Sequence, residues 1–212
     1  MRRLPVYILL DTSGSMMGEP IESVKNGLQV MISSLRQNPQ AIETAFLSII
    51  TFDTTAKQIV PLTDLASFQM PDIEASGVTA MGEALSLVSS CIDNEVATTS
   101  AESKGDWKPI VFIMTDGIPT DNVSEGLQLL KQRKVAYIVA CAAGSGADTS
   151  VLKQITDNVV SLDTADSSSI SKFFEWVTAS ISTSSTTVEE SGNEGNGMND
   201  LPPPPSELNI VV

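Results

Sequence analysis

Histidine is absent from this 212-residue chain. That removes Ser-His-Asp and Cys-His nucleophile systems and every histidine-ligated zinc or iron site. Cysteine is scarce: Cys91 and Cys141 each sit in an apolar setting and read as small buried thiols. A structural disulfide between them would need an oxidising compartment. Positive charge is scarce as well. Lys and Arg number 12 against 26 Asp and Glu, for a formal net charge of −14, and the bases lie scattered along the chain. A nucleic-acid binder shows a basic stripe, so that class of partner is excluded. No apolar run reaches the ~20 residues that a membrane-spanning helix needs, and direct membrane insertion is not expected. The short apolar run after Arg2-Arg3 lacks a cleavage-site pattern and is not a signal peptide. A cytoplasmic protein is the expectation.

What the chain does hold is a 42% hydrophobic content, enough for one packed domain with an appendage. Short apolar runs alternate with stretches of helical spacing. Residues 6–11, 44–52, 110–115, 135–141 and 158–162 read as strands. The run 56–60 alternates polar and apolar residues and suits an antiparallel edge. Ile21, Val24, Leu28, Met31, Ile32 and Leu35 recur at spacings of three and four, which predicts a helix entered at Pro20 and closed by Asn38-Pro39. Helices are also predicted from Met81, from about Val123 with Asn122 or Asp121 as its cap, and over 167–182. Residues 64–78 and 95–108 read as loops, with Trp107 packing back onto the domain. The class is therefore α/β: a doubly wound, mostly parallel sheet with one antiparallel edge strand and helices on both faces. The domain is expected to span 1–182. The remaining 183–212 is an acidic, Ser/Gly/Pro-rich tail, disordered or docked, with Pro202-Pro203-Pro204-Pro205 as a stiff spacer.

One stretch carries the chemistry. The first strand ends in Asp11-Thr12-Ser13-Gly14-Ser15-Met16, a carboxylate and three hydroxyls within five residues. Open parallel sheets bind ligands beyond their strand carboxyl ends. Asp11, Ser13 and Ser15 alternate, so their oxygens can converge on one point, and oxygen-only ligands favour Mg²⁺, Ca²⁺ or Mn²⁺.

The Asp-x-Ser-x-Ser spacing, followed by Met16-Met17-Gly18, resembles the metal-ion-dependent adhesion site of von Willebrand factor A domains. Thr79, in Ser76-Gly77-Val78-Thr79, looks like that family's loop threonine, and Asp116, in Met114-Thr115-Asp116-Gly117, looks like the aspartate after its fourth strand. Arg2-Arg3-Leu4-Pro5-Val6-Tyr7 and Gly18-Glu19-Pro20-Ile21 resemble more narrowly the TerY-type proteins of bacterial tellurium-resistance operons. The resemblance implies a von Willebrand A (Rossmann-like) fold and a metal site of Asp11, Ser13, Ser15, Thr79 and Asp116. Ser13, Ser15 and Thr79 would contact the ion directly; Asp11 and Asp116 would act mainly through waters. Mg²⁺ is the first expectation, with Mn²⁺ or Ca²⁺ as alternatives. A cation held by neutral hydroxyls keeps its charge and seeks an anionic oxygen, most simply an Asp or Glu of a protein partner. The resemblance further implies a non-enzymatic scaffold in tellurite or stress resistance, with other tellurium-resistance or kinase- and phosphatase-like proteins as partners.

Other readings compete. Ser, Asp and Gly are ordinary turn residues. A metal-dependent phosphatase or hydrolase would place a nucleophilic Asp at position 11, but needs a general acid where Ser13 stands, and no Lys lies near the motifs to stabilise a transferring phosphate. A third reading makes the tail the active part, a phospho-regulated adaptor built on its hydroxyl cluster and its terminal apolar residues. Gly144-Ser145-Gly146 lacks the lysine of a phosphate loop and reads as a turn into a short helix. Met16-Met17 reads as either core or a rim to the metal.

Overall fold

The computed structural model describes residues 2–191 and 201–211. The Gly/Asn-rich middle of the expected tail, 192–200, lies outside them. Seven strands form one sheet in the order β3-β2-β1-β4-β5-β6-β7, built from β1 (Leu4–Asp11), β2 (Ala45–Phe52), β3 (Ala56–Asp64), β4 (Ile110–Thr115), β5 (Tyr137–Ala143), β6 (Val159–Leu162) and β7 (Asn209–Ile210). Strands β2, β1, β4, β5 and β6 run parallel, and β3 and β7 close the two edges antiparallel.

Period-two alternation splits the central strands between two cores. Val6, Ile8, Leu10, Phe112 and Met114 face α1 (Glu19–Leu35), α2 (Pro39–Thr44) and α6 (Ser167–Ser191). Tyr7, Leu9, Val111 and Ile113 face α3 (Met81–Glu95), α4 (Val123–Lys131) and α5 (Thr149–Ile155). Every residue of β1 and β4 is buried, as continuous apolar runs under two helical layers require. Cys91 and Cys141 are buried free thiols; burial pushes Cys91 up to about 11 and Cys141 higher, so neither is a thiolate at neutral pH.

Four features differ from the sequence expectation. Asn38-Pro39 ends α1 but also starts α2, because Asn38 Oδ1 accepts the Ala41 N–H as an N-cap. Helix α6 does not stop at 182: Ile181, Ser185 and Val188 continue its buried face, and Tyr137 Oη meets Ser184 Oγ at 3.0 Å. Small serines disguise that face, since they carry no apolar signal. The chain from Leu201 lies against the domain, the docked one of its two expected alternatives, but it also adds a strand that the sequence does not predict. Leu201 and Leu208 are buried, Trp176 Nε1 donates to Pro202 O at 2.8 Å, and Asn209-Ile210 adds a second antiparallel edge to β6. Finally, the bases are not all scattered. Arg2, Lys108, Arg133 and Lys134 meet Trp107 around a cavity of about 670 Å³ at the end of the sheet opposite Asp11. There the Arg2 guanidinium stacks 3.4 Å over Trp107, and Arg133 pairs with Asp93.

Candidate metal centre

Strand order reverses at β1, whose neighbours β2 and β4 follow it in opposite directions, so a crevice opens beyond the carboxyl ends of β1 and β4. Asp11 closes β1, and Asp116 follows the last residue of β4. A single 3₁₀ turn, Gly14–Met16, folds the chain back over the end of β1. The loop before α3 is stitched to this turn, with Gly14 N donating to Gly77 O at 3.0 Å and Ser76 N to Thr12 O at 2.8 Å. Gly77 holds a left-handed φ of 71°, and a Cβ there would lie 2.2 Å from Thr54 Oγ1. Its close turn delivers Thr79 to the rim. Thr79 is held from the other side by Thr120, whose N–H donates to Thr79 O at 2.9 Å and whose Oγ1 accepts from Thr79 N at 3.2 Å.

The side chains meet. Asp11 Oδ1 accepts from Ser13 N at 2.8 Å, Ser13 Oγ lies 3.0 Å from Ser15 Oγ, and Ser15 Oγ donates to Asp116 Oδ1 at 2.7 Å. A Cβ built on Gly117 would stand 3.3 Å from Thr79 Oγ1, 3.8 Å from Ser15 Oγ and 3.9 Å from Asp11 Oδ2. Hydroxyls and carboxylates from three separate loops thus surround one small volume, and the missing side chain of Gly117 keeps that volume open. Asp11, Ser13 and Thr79 are buried, Asp116 is half-buried, and Ser15 is exposed at the mouth.

The donor set fits a hard divalent cation. It consists of oxygens alone, and Thr79 Oγ1 makes no hydrogen bond among the described residues although it borders the shared volume. Among the described residues no three His, Cys, Asp or Glu group together, so a carboxylate cage is not the pattern here. Two carboxylates formally balance a divalent ion, and the three hydroxyls add no charge. Burial raises both Asp11 and Asp116 above the ordinary carboxylate range. Hydrogen bonds from Ser13 and Thr115 pull Asp11 back in part, and the one from Ser15 does the same for Asp116. A cation between them would relieve the cost of holding both charged.

Two residues outside the predicted set support the centre. Thr115 Oγ1 donates to Asp11 Oδ2 at 2.5 Å and accepts from Gly117 N at 3.2 Å, so it fixes the Asp11 carboxylate and the turn after β4 together. The register pairs Leu10 with Met114, which makes Asp11 and Thr115 neighbours across the parallel ladder. Only the pairing of β1 with β4 reveals this. Asp121 caps α3 rather than α4, accepting from Gly82 N at 2.9 Å and Glu83 N at 2.8 Å, while Asn122 caps α4. Removing that acceptor in Asp121→Ala leaves two helix N–H groups without it. The expected loss is ~1–2 kcal/mol in chemical denaturation, with part of it retained in Asp121→Asn.

Residues 6–176 match the family profile of the von Willebrand factor type A domain. The chain belongs to that family. Type A domains are generally non-catalytic modules that bind protein ligands. Over 123 residues the chain is 31% identical to an uncharacterized protein, sll0103, of Synechocystis sp., covering 55% of this chain and 26% of that one. It is also similar to proximal thread matrix protein 1 from the mussel byssus, solved with its metal-ion-dependent adhesion site occupied by zinc. That likeness has a TM-score of 0.60 and 23% identity over 84% of this chain and 45% of that one. The pilus adhesin SpaC of Lactobacillus rhamnosus GG gives a TM-score of 0.67 and 13% identity over 86% of this chain and 30% of that one. The chain therefore spans about a quarter of its cyanobacterial relative and under half of each of these structures. At such identities the structural likeness shows the type A fold, and a divalent cation in the adhesion site is a property of the mussel protein. Among the described residues no helix is long and apolar enough to cross a membrane.

Proposed function

We propose that this type A domain is a divalent-cation-dependent protein-binding module, with Asp11, Ser13, Ser15, Thr79 and Asp116 holding the ion. The observation that carries the reading is the approach of Thr79 Oγ1, Ser15 Oγ and Asp11 Oδ2 to one point beside Gly117. When bound, the ion supplies an electropositive centre for an Asp or Glu carboxylate of the partner. The protein's own part is positional. Ser13 N and Thr115 Oγ1 already engage both oxygens of Asp11, which suits a carboxylate that acts on the ion through water. The hydroxyls of Ser13, Ser15 and Thr79 stay neutral and leave the charge of the ion to the partner. Mg²⁺ is the ion proposed, with Mn²⁺ and Ca²⁺ as competitors.

Hydrolysis is the weaker reading. No Lys, Arg or His lies among the described groups that converge on Asp11 to stabilise a transferring phosphoryl group, and its oxygens are committed to Ser13 and Thr115. The narrower likeness to TerY-type proteins extends the proposal to a scaffold in tellurite resistance. It rests on Arg2-Arg3-Leu4-Pro5 and Gly18-Glu19-Pro20-Ile21 alone. Capture of partners by the immobilised full chain tests the whole reading. Retention in Mg²⁺ is expected to fall at least tenfold with chelator, and equally with Ser13→Ala/Ser15→Ala in Mg²⁺. Retention indifferent to both would contradict it.

A further inference from the structure

We infer that the segment captured at the metal centre carries one carboxylate flanked by apolar side chains, and that Met17, Val78 and Ile118 select it. This rests on the reading of Asp11, Ser13, Ser15, Thr79 and Asp116 as an ion site. Among the described residues seven large apolar side chains are exposed, and three of them lie within two residues of candidate ligands. Met17 is 64% exposed two residues after Ser15, Val78 is 48% exposed immediately before Thr79, and Ile118 is 62% exposed two residues after Asp116. One comes from each of the three loops that build the centre, within about 8 Å of a ligand along the chain at 3.8 Å per residue. Each loop spends a polar residue on the ion and turns an apolar neighbour outward. Met16, by contrast, is fully buried, so exposure of Met17 is not a by-product of a loose loop.

Charge narrows the occupant further. The same loops together with the first residues of the helices that follow them, 11–19, 72–83 and 116–125, contain no Lys or Arg. Besides Asp11 and Asp116 they carry Glu19, Asp72, Glu74, Glu83, Asp121 and Glu125, all exposed. An ion of charge +2 attracts a carboxylate at the centre, but the surround repels a run of them. A partner with one acid, apolar residues on either side and a base further out satisfies the ion, the three exposed apolar side chains and the acidic surround together.

Two peptides test this against the Mg²⁺-loaded full chain: acetyl-Gly-Leu-Ile-Glu-Leu-Lys-Gly-amide, and a companion in which Leu, Ile and Leu are each replaced by Glu. The first is expected to bind about tenfold tighter, the scale of burying part of one or two apolar side chains. Its affinity should vanish with chelator or with Gln in place of its Glu. In Met17→Ser/Val78→Ser/Ile118→Ser the preference should disappear while the Mg²⁺-induced rise in melting temperature stays as in the wild type. Equal or tighter binding of the Glu-rich peptide, or a preference that survives the triple variant, would overturn the inference. So would binding of neither peptide by a chain whose melting temperature responds to Mg²⁺. A chain with no Mg²⁺ response in melting temperature would instead refute the ion site on which the inference stands.

Discussion

Replacing Asp11 with asparagine is expected to abolish the Mg²⁺-dependent gain in thermal stability while leaving the ion-free domain folded and close to the wild type in stability. Asp11 is fully buried, and burial raises its carboxyl together with that of Asp116. An asparagine can keep the local bonds: its oxygen accepts from Ser13 N, and its amide donates to Thr115 Oγ1, reversing the bond seen with the carboxylate. The ion-free fold thus sheds a buried charge, while the buried Thr115 O–H gives up its carboxylate acceptor, so the two effects oppose each other. In the wild type, Mg²⁺ at about 100 times its dissociation constant stabilises by ~2.7 kcal/mol, or about 5–10 °C for a chain of this size. The variant should show almost none of that shift in a calorimetric scan.

The sign of the pH dependence follows from the same two groups. A carboxyl whose pKa is raised by folding stabilises the fold only while protonated. That contribution is complete below the ordinary carboxylate range and is lost as pH rises through the raised value. Without the ion, this part of the stability falls as pH rises above the ordinary carboxylate range. The Mg²⁺ increment runs the other way, largest at neutral pH and fading in acid as protons compete for the same oxygens. Scans at pH 5 and pH 7.5, each with chelator and with Mg²⁺, separate the two trends. A Mg²⁺ shift as large in Asp11→Asn as in the wild type would contradict this account.

Gly27→Ala should destabilise the domain by ~1–3 kcal/mol, although alanine in place of a helical glycine ordinarily stabilises by up to ~1 kcal/mol. Gly27 lies in the interior of α1, where its face packs on α6. A Cβ there would stand 2.3 Å from Phe174 Cδ2 and 2.7 Å from Phe174 Cγ. Phe174 is itself buried and packed edge-to-face on Phe173 with ring centroids 5.6 Å apart, and the space beside it is a pocket of about 130 Å³ that Gly27, Val30 and Glu175 also line. The helices must separate, or the ring must leave its rotamer. Phe174→Leu in the same chain should recover part of the loss, and a double-mutant cycle by urea denaturation would read a coupling of ~1 kcal/mol or more. Additive effects would show that α1 and α6 do not meet at this point.

Part of the centre can be read from the chain because it is local, while Thr79 and Asp116 enter through the family resemblance. Asp11, Ser13 and Ser15 share one strand end and one turn. Asp116 follows a run, Ile110–Thr115, too apolar and too short to be anything but a buried strand. Thr79 comes just before a helical pattern that starts at Met81. What the chain hides is what depends on pairing and packing across it. Thr115 is an ordinary strand-end threonine until β1 lies beside β4 and sets it against Asp11. Asp121 caps a helix that begins some forty residues earlier. Ser185 and its neighbours obscure the last turns of α6, because a small polar residue can fill a helix interface without an apolar signature. The strand Asn209–Ile210 is two residues long, and β6 is what makes it a strand. The basic cavity assembles from Arg2, Lys108, Arg133 and Lys134, which no window of sequence contains together.

Crystals of the full chain soaked in Mn²⁺ and measured at the manganese absorption edge test the central claim most directly. The account predicts one strong anomalous peak beside Gly117, within coordination distance of Ser13 Oγ, Ser15 Oγ and Thr79 Oγ1 or the waters that join them to Asp11 and Asp116, and no such peak in Ser13→Ala/Ser15→Ala. A peak elsewhere on the molecule with this crevice empty, or one that persists in the double variant, would contradict it.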